Sequence, residues 1–96
     1  MTTILYIYDC IQSRRRNARR VSFTKELYGF TYSWRTRSGV KERRKVGLIE
    51  EHVGVESVAD STILVPEEYR PTFDSFFDKY QDILALRVFM VVKELK

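Results

Sequence analysis

Asp9 is the acidic side chain best placed in this sequence to take part in catalysis. It ends a run of β-branched and aromatic residues, so its carboxylate stands at the tip of a predicted strand. A carboxylate in that place can hold Mg²⁺ or Mn²⁺ against a phosphate, and a dimer would bring two such carboxylates together. One interpretation is therefore a metal-dependent endonuclease in which Asp9 is the metal ligand and catalytic residue. The other is that Asp9 caps the following turn and no cofactor is needed.

Basic side chains form the second group that points to a function. Residues 1–47 carry 12 lysines and arginines against 3 acidic residues, and residues 48–96 carry 5 against 10. The net charges of +9 and −5 give +4 overall. Arginine predominates in the basic half and binds phosphate through paired hydrogen bonds, so we expect nucleic acid, DNA or RNA, as the partner. The predicted contact residues form an arginine-rich helix and a basic loop: Arg14, Arg15, Arg16, Arg19, Arg20, Arg35, Arg37, Lys41, Arg43, Arg44 and Lys45.

An acidic stripe offers a third possibility. Asp74, Asp78 and Asp82 are spaced four residues apart, so they share one face of a predicted C-terminal helix. Such a stripe is either a solvated outer face or a docking site for a basic protein. The second reading would make the chain a protein–protein interaction or inhibitor module from a mobile element.

The elements that must position these side chains predict an α+β fold. Residues 3–9, 30–36, 61–65 and 85–93 have the composition of strands, residues 13–28 that of a helix ended by Gly29, and a second helix begins near Thr72. This order is the ferredoxin-like split βαβ pattern, a four-stranded antiparallel sheet with two helices on one face. We expect one domain over residues 1–96. Residues 40–60 would form an extended connection or insertion between strands 2 and 3, as a short helix or the return arm of a hairpin.

Helices on one face of the sheet leave the other face open. We expect Leu5 and Ile7 in the core, and we place four side chains on the open face: Tyr6, Tyr8, Arg87 and Phe89. The last strand has few polar residues, which favours a central position beside the first strand. An open face of this kind stacks nucleic-acid bases or is buried in a homodimer.

Several classes of protein are not supported by the sequence. No apolar run of about 18 residues is present, so no membrane span is expected. The single cysteine, Cys10, cannot form an internal disulfide, and a cytoplasmic location is expected. The sequence also lacks a cysteine–histidine cluster suited to zinc and a glycine-rich phosphate loop.

The first third of the sequence resembles a known family. A hydrophobic strand ending at Asp9, an arginine-rich helix, Leu27-Tyr28-Gly29-Phe30 and a strand containing Ser33 are similar to the small CRISPR-associated adaptation subunits and their toxin relatives. The resemblance implies a ferredoxin-like fold, a homodimer and nucleic-acid binding. It also implies that Asp9 corresponds to the aspartate linked to metal-dependent nuclease activity in some members.

Overall fold

A computed structural model describes residues 2–11, 17–92 and 95, and within these ranges the chain is an α+β protein. The six strands are β1 (Thr3–Cys10), β2 (Gly29–Thr36), β3 (Gly39–Val46), β4 (Glu56–Ala59), β5 (Thr62–Pro66) and β6 (Leu84–Val91). The helices are α1 (Asn17–Tyr28), α2 (Leu48–Glu51) and α3 (Arg70–Lys79). A 3₁₀ turn over Glu67–Tyr69 leads into α3. None of the described helices is long and apolar enough to cross a membrane.

The main sheet has four antiparallel strands in the order β4-β5-β1-β6. In register, Tyr6 of β1 lies opposite Ile63 of β5 and Val88 of β6. The predicted four-stranded antiparallel sheet is therefore confirmed. The predicted central position of the last strand is wrong, because β6 is an edge strand of this sheet and, among the described residues, pairs with β1 alone.

The core lies on the face of the sheet that α1 and α3 cover. Side chains alternate along β1, and Tyr6 and Tyr8 point to the helices, where Tyr6 stacks on Phe77 and the ring of Tyr8 meets Phe23 edge-on. Both tyrosines are buried, whereas Ile7 is 38% exposed. The prediction of Tyr6 and Tyr8 on the open face is therefore wrong.

Tyrosine takes the inner face of β1 because each buried hydroxyl finds a partner. The hydroxyl of Tyr6 donates to Asp74 at 2.7 Å, and the hydroxyls of Tyr8 and Tyr28 hydrogen-bond to each other. The larger rings then fill the space between the sheet and the helices. The alternation along β1 predicted two faces but did not show which one is buried. The buried face is that of Tyr6 and Tyr8, because their rings fill the core and their hydroxyls are hydrogen-bonded.

Residues 40–60 hold the main departure from the predicted strand order. The predicted strand 30–36 exists as β2, but it pairs only with β3 in a separate two-stranded sheet. Residues 40–46 are the return arm of that hairpin, α2 follows as a short helix, and β4 supplies the edge strand beside β5. Both conformations considered for this segment therefore occur, one after the other.

The helices follow their sequence signals in part. Gly29 has a φ of +79° and ends α1 as predicted. Pro71 lies in the first turn of α3, which begins at Arg70 and not near Thr72, because proline is tolerated where no helical hydrogen bond is lost. The large apolar side chains of α3 are buried, namely Phe73, Phe76 and Phe77, and so are three that follow the end of the helix, Tyr80, Ile83 and Leu84.

Candidate nucleic-acid interface

The β2–β3 hairpin is the most basic exposed element in the described part of the chain. Its strands pair from Gly29↔Val46 to Thr36↔Gly39 and are joined by a two-residue turn, Arg37-Ser38. No residue of the hairpin belongs to the buried core, and every residue of β3 is exposed. The molecule measures 54 × 32 × 24 Å and is therefore markedly elongated. These two strands add no side chain to the core, and a binding role would account for their presence.

The base of the hairpin is held tightly to the body of the protein. Gly29 and Gly47 approach so closely that a Cβ on either would collide with backbone atoms of the other. The Arg44 guanidinium donates to the Tyr28 carbonyl oxygen at 2.9 Å and forms an ion pair with Glu50 at the start of α2. The hairpin therefore leaves the end of α1 in a fixed direction and returns directly into α2.

One face of the hairpin combines an aromatic row with a cationic row. Phe30, Tyr32 and Trp34 alternate along β2 and so share a face, with ring centroids 5.9 and 5.8 Å apart. Across the ladder, their partners on β3 are, in the same order, Lys45, Arg43 and Lys41. Directly paired residues project to the same side of a sheet, so each ring has a cation beside it.

Both rows are accessible. Tyr32 and Trp34 expose 41% and 40% of their surface, and Lys41 and Arg43 have no ion-pair partner among the described residues. Exposed aromatic rings and cations without ion-pair partners are the groups that stack on bases and neutralise phosphates. We call this surface the aromatic–cationic face, made of Phe30, Tyr32, Trp34, Lys41, Arg43 and Lys45.

The opposite face of the hairpin has no aromatic side chain and combines polar residues with Val40 and Val46. Arg35 lies opposite Val40, Ser33 opposite Glu42, and Thr31 opposite Arg44. Arg37 is exposed in the turn at the tip. The predicted basic loop is thus divided: three of its cations share the aromatic–cationic face, Arg35 and Arg44 lie on the other side, and Arg44 is occupied at the base.

A cavity of about 440 Å³ lies where the aromatic–cationic face meets the body. Phe30 and Lys45 line it together with Lys25, Lys79 and Glu26, and the Lys25 ammonium lies 4.7 Å from the centre of the Phe30 ring. Lys25 and Lys79 are not among the contact residues predicted from the sequence. They are distant from Lys45 in sequence, and the fold places them with it around one opening.

Two acids line this cavity, Glu26 and Glu51, and neighbouring groups stabilise the charge of Glu26. The Lys79 ammonium donates to it at 2.6 and 2.8 Å, and the Tyr80 hydroxyl donates to it at 2.8 Å. Partial burial alone would raise the pKa of Glu26, but these hydrogen bonds outweigh burial and lower it. Burial and the same hydrogen bond raise the pKa of Tyr80 to about 12.

The arginines of the first helix are arranged differently from the expectation. Arg14, Arg15 and Arg16 lie outside the described residues. Arg19 forms an ion pair with Asp82 at 2.8 Å and lies 4.6 Å from the centre of the Tyr80 ring. Arg20 is exposed and lines a second cavity, on the β4–β5 side of α1. Among the described residues, the free cations therefore concentrate on the hairpin.

Asp9 belongs to no cluster of three or more metal-binding side chains in the described part of the chain. It is exposed at the end of β1 opposite Ala85, and no group of three or more His, Cys, Asp or Glu side chains that could hold a metal ion occurs in residues 2–11, 17–92 and 95. Cys10 lines the second cavity, of about 580 Å³, with Arg20, Tyr28 and Asp60. Burial raises the pKa of its thiol.

The predicted acidic stripe is interrupted, because α3 ends at Lys79 and Asp82 lies beyond it, and it is largely engaged within the fold. Asp74 accepts hydrogen bonds from Tyr6 and Arg70, and Asp82 pairs with Arg19 beyond the end of the helix. Asp78 is exposed. Two of the three carboxylates therefore join elements of this chain to one another.

Comparison with protein-family models, with curated proteins and with solved structures finds no match to this chain. The case for a function therefore rests on the geometry of the hairpin and of the sheet.

Proposed function

We propose that this protein binds nucleic acid without catalysing its cleavage, and that the β2–β3 hairpin makes the contact. The observation that carries the proposal is the aromatic–cationic face, where an aromatic row and a cationic row face the same side of an exposed hairpin. Cations that neutralise phosphates release bound counterions, which drives association at low salt. The anchored base keeps the hairpin at a fixed angle, so less ordering is required when it binds.

The test is a salt titration with a labelled oligonucleotide. We expect the logarithm of the association constant to fall linearly with the logarithm of the salt concentration. Replacing Lys41, Arg43 and Lys45 together by alanine should reduce the slope by about two to three, since each phosphate contact contributes roughly 0.7–0.9. The matched control replaces Arg19 and Arg70, cations that pair with acids on the body, and should leave the slope nearly unchanged. An equal slope in wild type and the hairpin variant would remove the hairpin from the site.

The same oligonucleotides test the nuclease alternative. Incubation with Mg²⁺ or Mn²⁺ should leave them intact if the protein only binds. Cleavage that disappears in Asp9→Asn would instead support an enzyme in which Asp9 holds the metal.

For the fold we propose a ferredoxin-like sheet with an inserted hairpin. In this view β1, β4, β5 and β6 are the four strands of the split βαβ pattern, and the β2–β3 hairpin and α2 are inserted after α1. The order β4-β5-β1-β6 with antiparallel neighbours supports it, because β1 and β4, like β5 and β6, then run parallel and are each linked through a helix.

We also propose that the protein is a homodimer joined through the open face of the sheet. Leu5, Ile7 and Phe89 lie on this face, away from the helices, and Phe89 is 47% exposed. Glu56 and Arg87 project from the same face on the two edge strands, β4 and β6. When two copies pack face to face about a two-fold axis along the strands, β4 of each copy lies over β6 of the other. The acidic edge then meets the basic edge twice, which favours a second copy as the occupant.

A further inference from the structure

We infer that the aromatic–cationic face is a stacking platform for single-stranded nucleic acid. This inference rests on the proposed function and names its ligand: an unpaired strand of about three nucleotides, with bases on the β2 aromatics and phosphates along the β3 cations.

The spacing of the rings supports an unpaired strand. Tyr32 and Trp34 have centroids 5.8 Å apart and ring planes inclined by only 28°, so they present similarly oriented surfaces in succession. In a duplex the faces of the bases are already covered by their neighbours, and only base edges and backbone are accessible in the grooves. Aromatic rings therefore gain most from bases that are not paired.

The cationic row on β3 determines on which side of the aromatic rings the sugar-phosphate backbone of the bound strand runs. Trp34 is paired with Lys41, and Tyr32 with Arg43. A cation on β3 that can bind a phosphate therefore lies beside each of these two rings. Arginine can also stack its guanidinium on a base, which adds to the aromatic surface. The opposite face of the hairpin carries hydroxyls, charged groups and Val40 in place of aromatics, so the two faces differ in kind.

The base of the hairpin defines where the platform ends. Phe30 is partly covered by Lys25 and lines the 440 Å³ cavity with Lys45 and Lys79. A strand running from Trp34 towards Phe30 therefore reaches a cavity lined by Lys25, Lys45 and Lys79 and by the acids Glu26 and Glu51. Since Lys79 pairs with Glu26, Lys25 and Lys45 are the cations that suit the phosphate beyond the last stacked base.

The chain supplies its own reporter, because Trp34 is the only tryptophan. We would titrate the full chain with a short oligothymidine, with the matching RNA, with the duplex of the same length and with inorganic polyphosphate. Tryptophan fluorescence reports stacking, and the anisotropy of labelled oligonucleotides reports binding. Saturable quenching by the single strands, with weaker binding by the duplex and no quenching by polyphosphate, is the expected result.

Two hairpin variants make the test specific. Trp34→Leu should weaken single-strand binding by about fivefold to a hundredfold and leave duplex binding nearly unchanged. Val40→Ala removes an exposed apolar side chain from the opposite face and should change neither. Circular dichroism checks that both variants keep the fold.

The possible failures are distinct. Equal affinity for duplex and single strand, with no quenching and no effect of Trp34→Leu, would overturn the stacking platform and leave the proposed nucleic-acid function standing. Failure of every nucleic acid to bind at low salt would overturn both.

Discussion

Gly29 and Gly47 lie against each other at the base of the hairpin, and the nearest neighbours of both are backbone atoms. Gly29 requires its residue type twice over, because its φ of +79° also disfavours a side chain. Gly47 has an ordinary φ of −89° and is glycine only for lack of space. The two glycines thus set the direction of the hairpin, and with it the position of the aromatic–cationic face.

Gly47→Ala is therefore expected to destabilise the protein or displace the hairpin. The added methyl group meets backbone atoms, which cannot rotate away, so we expect the free energy of unfolding to fall by about 1–3 kcal/mol. Urea denaturation followed by circular dichroism measures this change. Val40→Ala, at an exposed hairpin position, is the control and should change stability little. A Gly47→Ala protein as stable as wild type and with the same oligonucleotide affinity would contradict the close packing.

Alkaline pH is expected to destabilise the fold through its buried tyrosines. Burial, assisted by hydrogen bonds to Asp74 and Tyr28 respectively, raises the pKa of Tyr6 and Tyr8 well above the ordinary value of 10.0. Above that value the unfolded chain releases these protons while the folded chain keeps them, so stability falls as pH rises beyond about 10. Denaturant unfolding at a series of alkaline pH values measures the loss.

Tyr6→Phe separates the two effects of that hydroxyl. Removing it eliminates the hydrogen bond to Asp74, so stability near neutral pH should fall by about 0.5–1.5 kcal/mol. Loss of stability with rising pH should become shallower, because one buried titrating group is gone. Tyr32→Phe, on the exposed hairpin, should change neither property. A Tyr6→Phe curve parallel to wild type throughout would show that Tyr6 does not stay protonated in the fold.

Acid pH is expected to weaken the contact between α1 and the end of α3. The pKa of Glu26 is lowered despite burial, because Lys79 and Tyr80 hydrogen-bond to its charged form. Its contribution is therefore fully present above the unfolded value of about 4.5 and is lost as pH falls through the lower folded value. Since Glu26 and Lys79 are both partly exposed, the loss is modest, about 1 kcal/mol or less. Glu26→Gln should lower stability at neutral pH and flatten the acid limb, whereas Asp78→Asn should not. If the free energy of unfolding falls equally steeply with acid pH in Glu26→Gln and in wild type, Glu26 does not have this stabilising role.

The sequence predicted the strands and helices better than it predicted which strands pair with each other. The composition of residues 30–36 predicted a strand, the return arm of a hairpin was one conformation considered for residues 40–60, and both are present. These predictions did not show that the strand would leave the main sheet, because a hairpin whose pairing is satisfied locally has the same pattern as a sheet strand. One signal did indicate that this hairpin stays outside the main sheet. In contrast to the aromatic row on β2, β3 is basic and has no continuous apolar face that could pack on the core.

The sequence likewise predicted only part of the site, because it shows which residues are charged but not which elements pack together. The hairpin cations followed from charge alone, and the register of β2 and β3 then set which of them stand beside Trp34 and Tyr32. Lys25 and Lys79 could not be predicted, because their meeting at the base of the hairpin depends on how α1 packs against α3. The pairing of Arg19 with Asp82 is likewise a tertiary contact that crosses the two charge halves of the chain.

Charge reversal at the edges of the open face tests the proposed dimer. Arg87 on the edge strand β6 lies opposite Ile7, and Glu56 on the other edge strand, β4, lies opposite Leu64. In the face-to-face arrangement Arg87→Glu places two acids together at each edge, so we expect the dimer dissociation constant to rise at least about tenfold. The double variant Arg87→Glu with Glu56→Arg restores opposite charges and should recover most of the affinity. Light scattering with size-exclusion chromatography over a range of concentrations measures both variants, and Arg70→Glu on α3 is the control of equal charge change. A monomeric wild type, or an Arg87→Glu protein that Glu56→Arg does not rescue, would mean that this face has another partner.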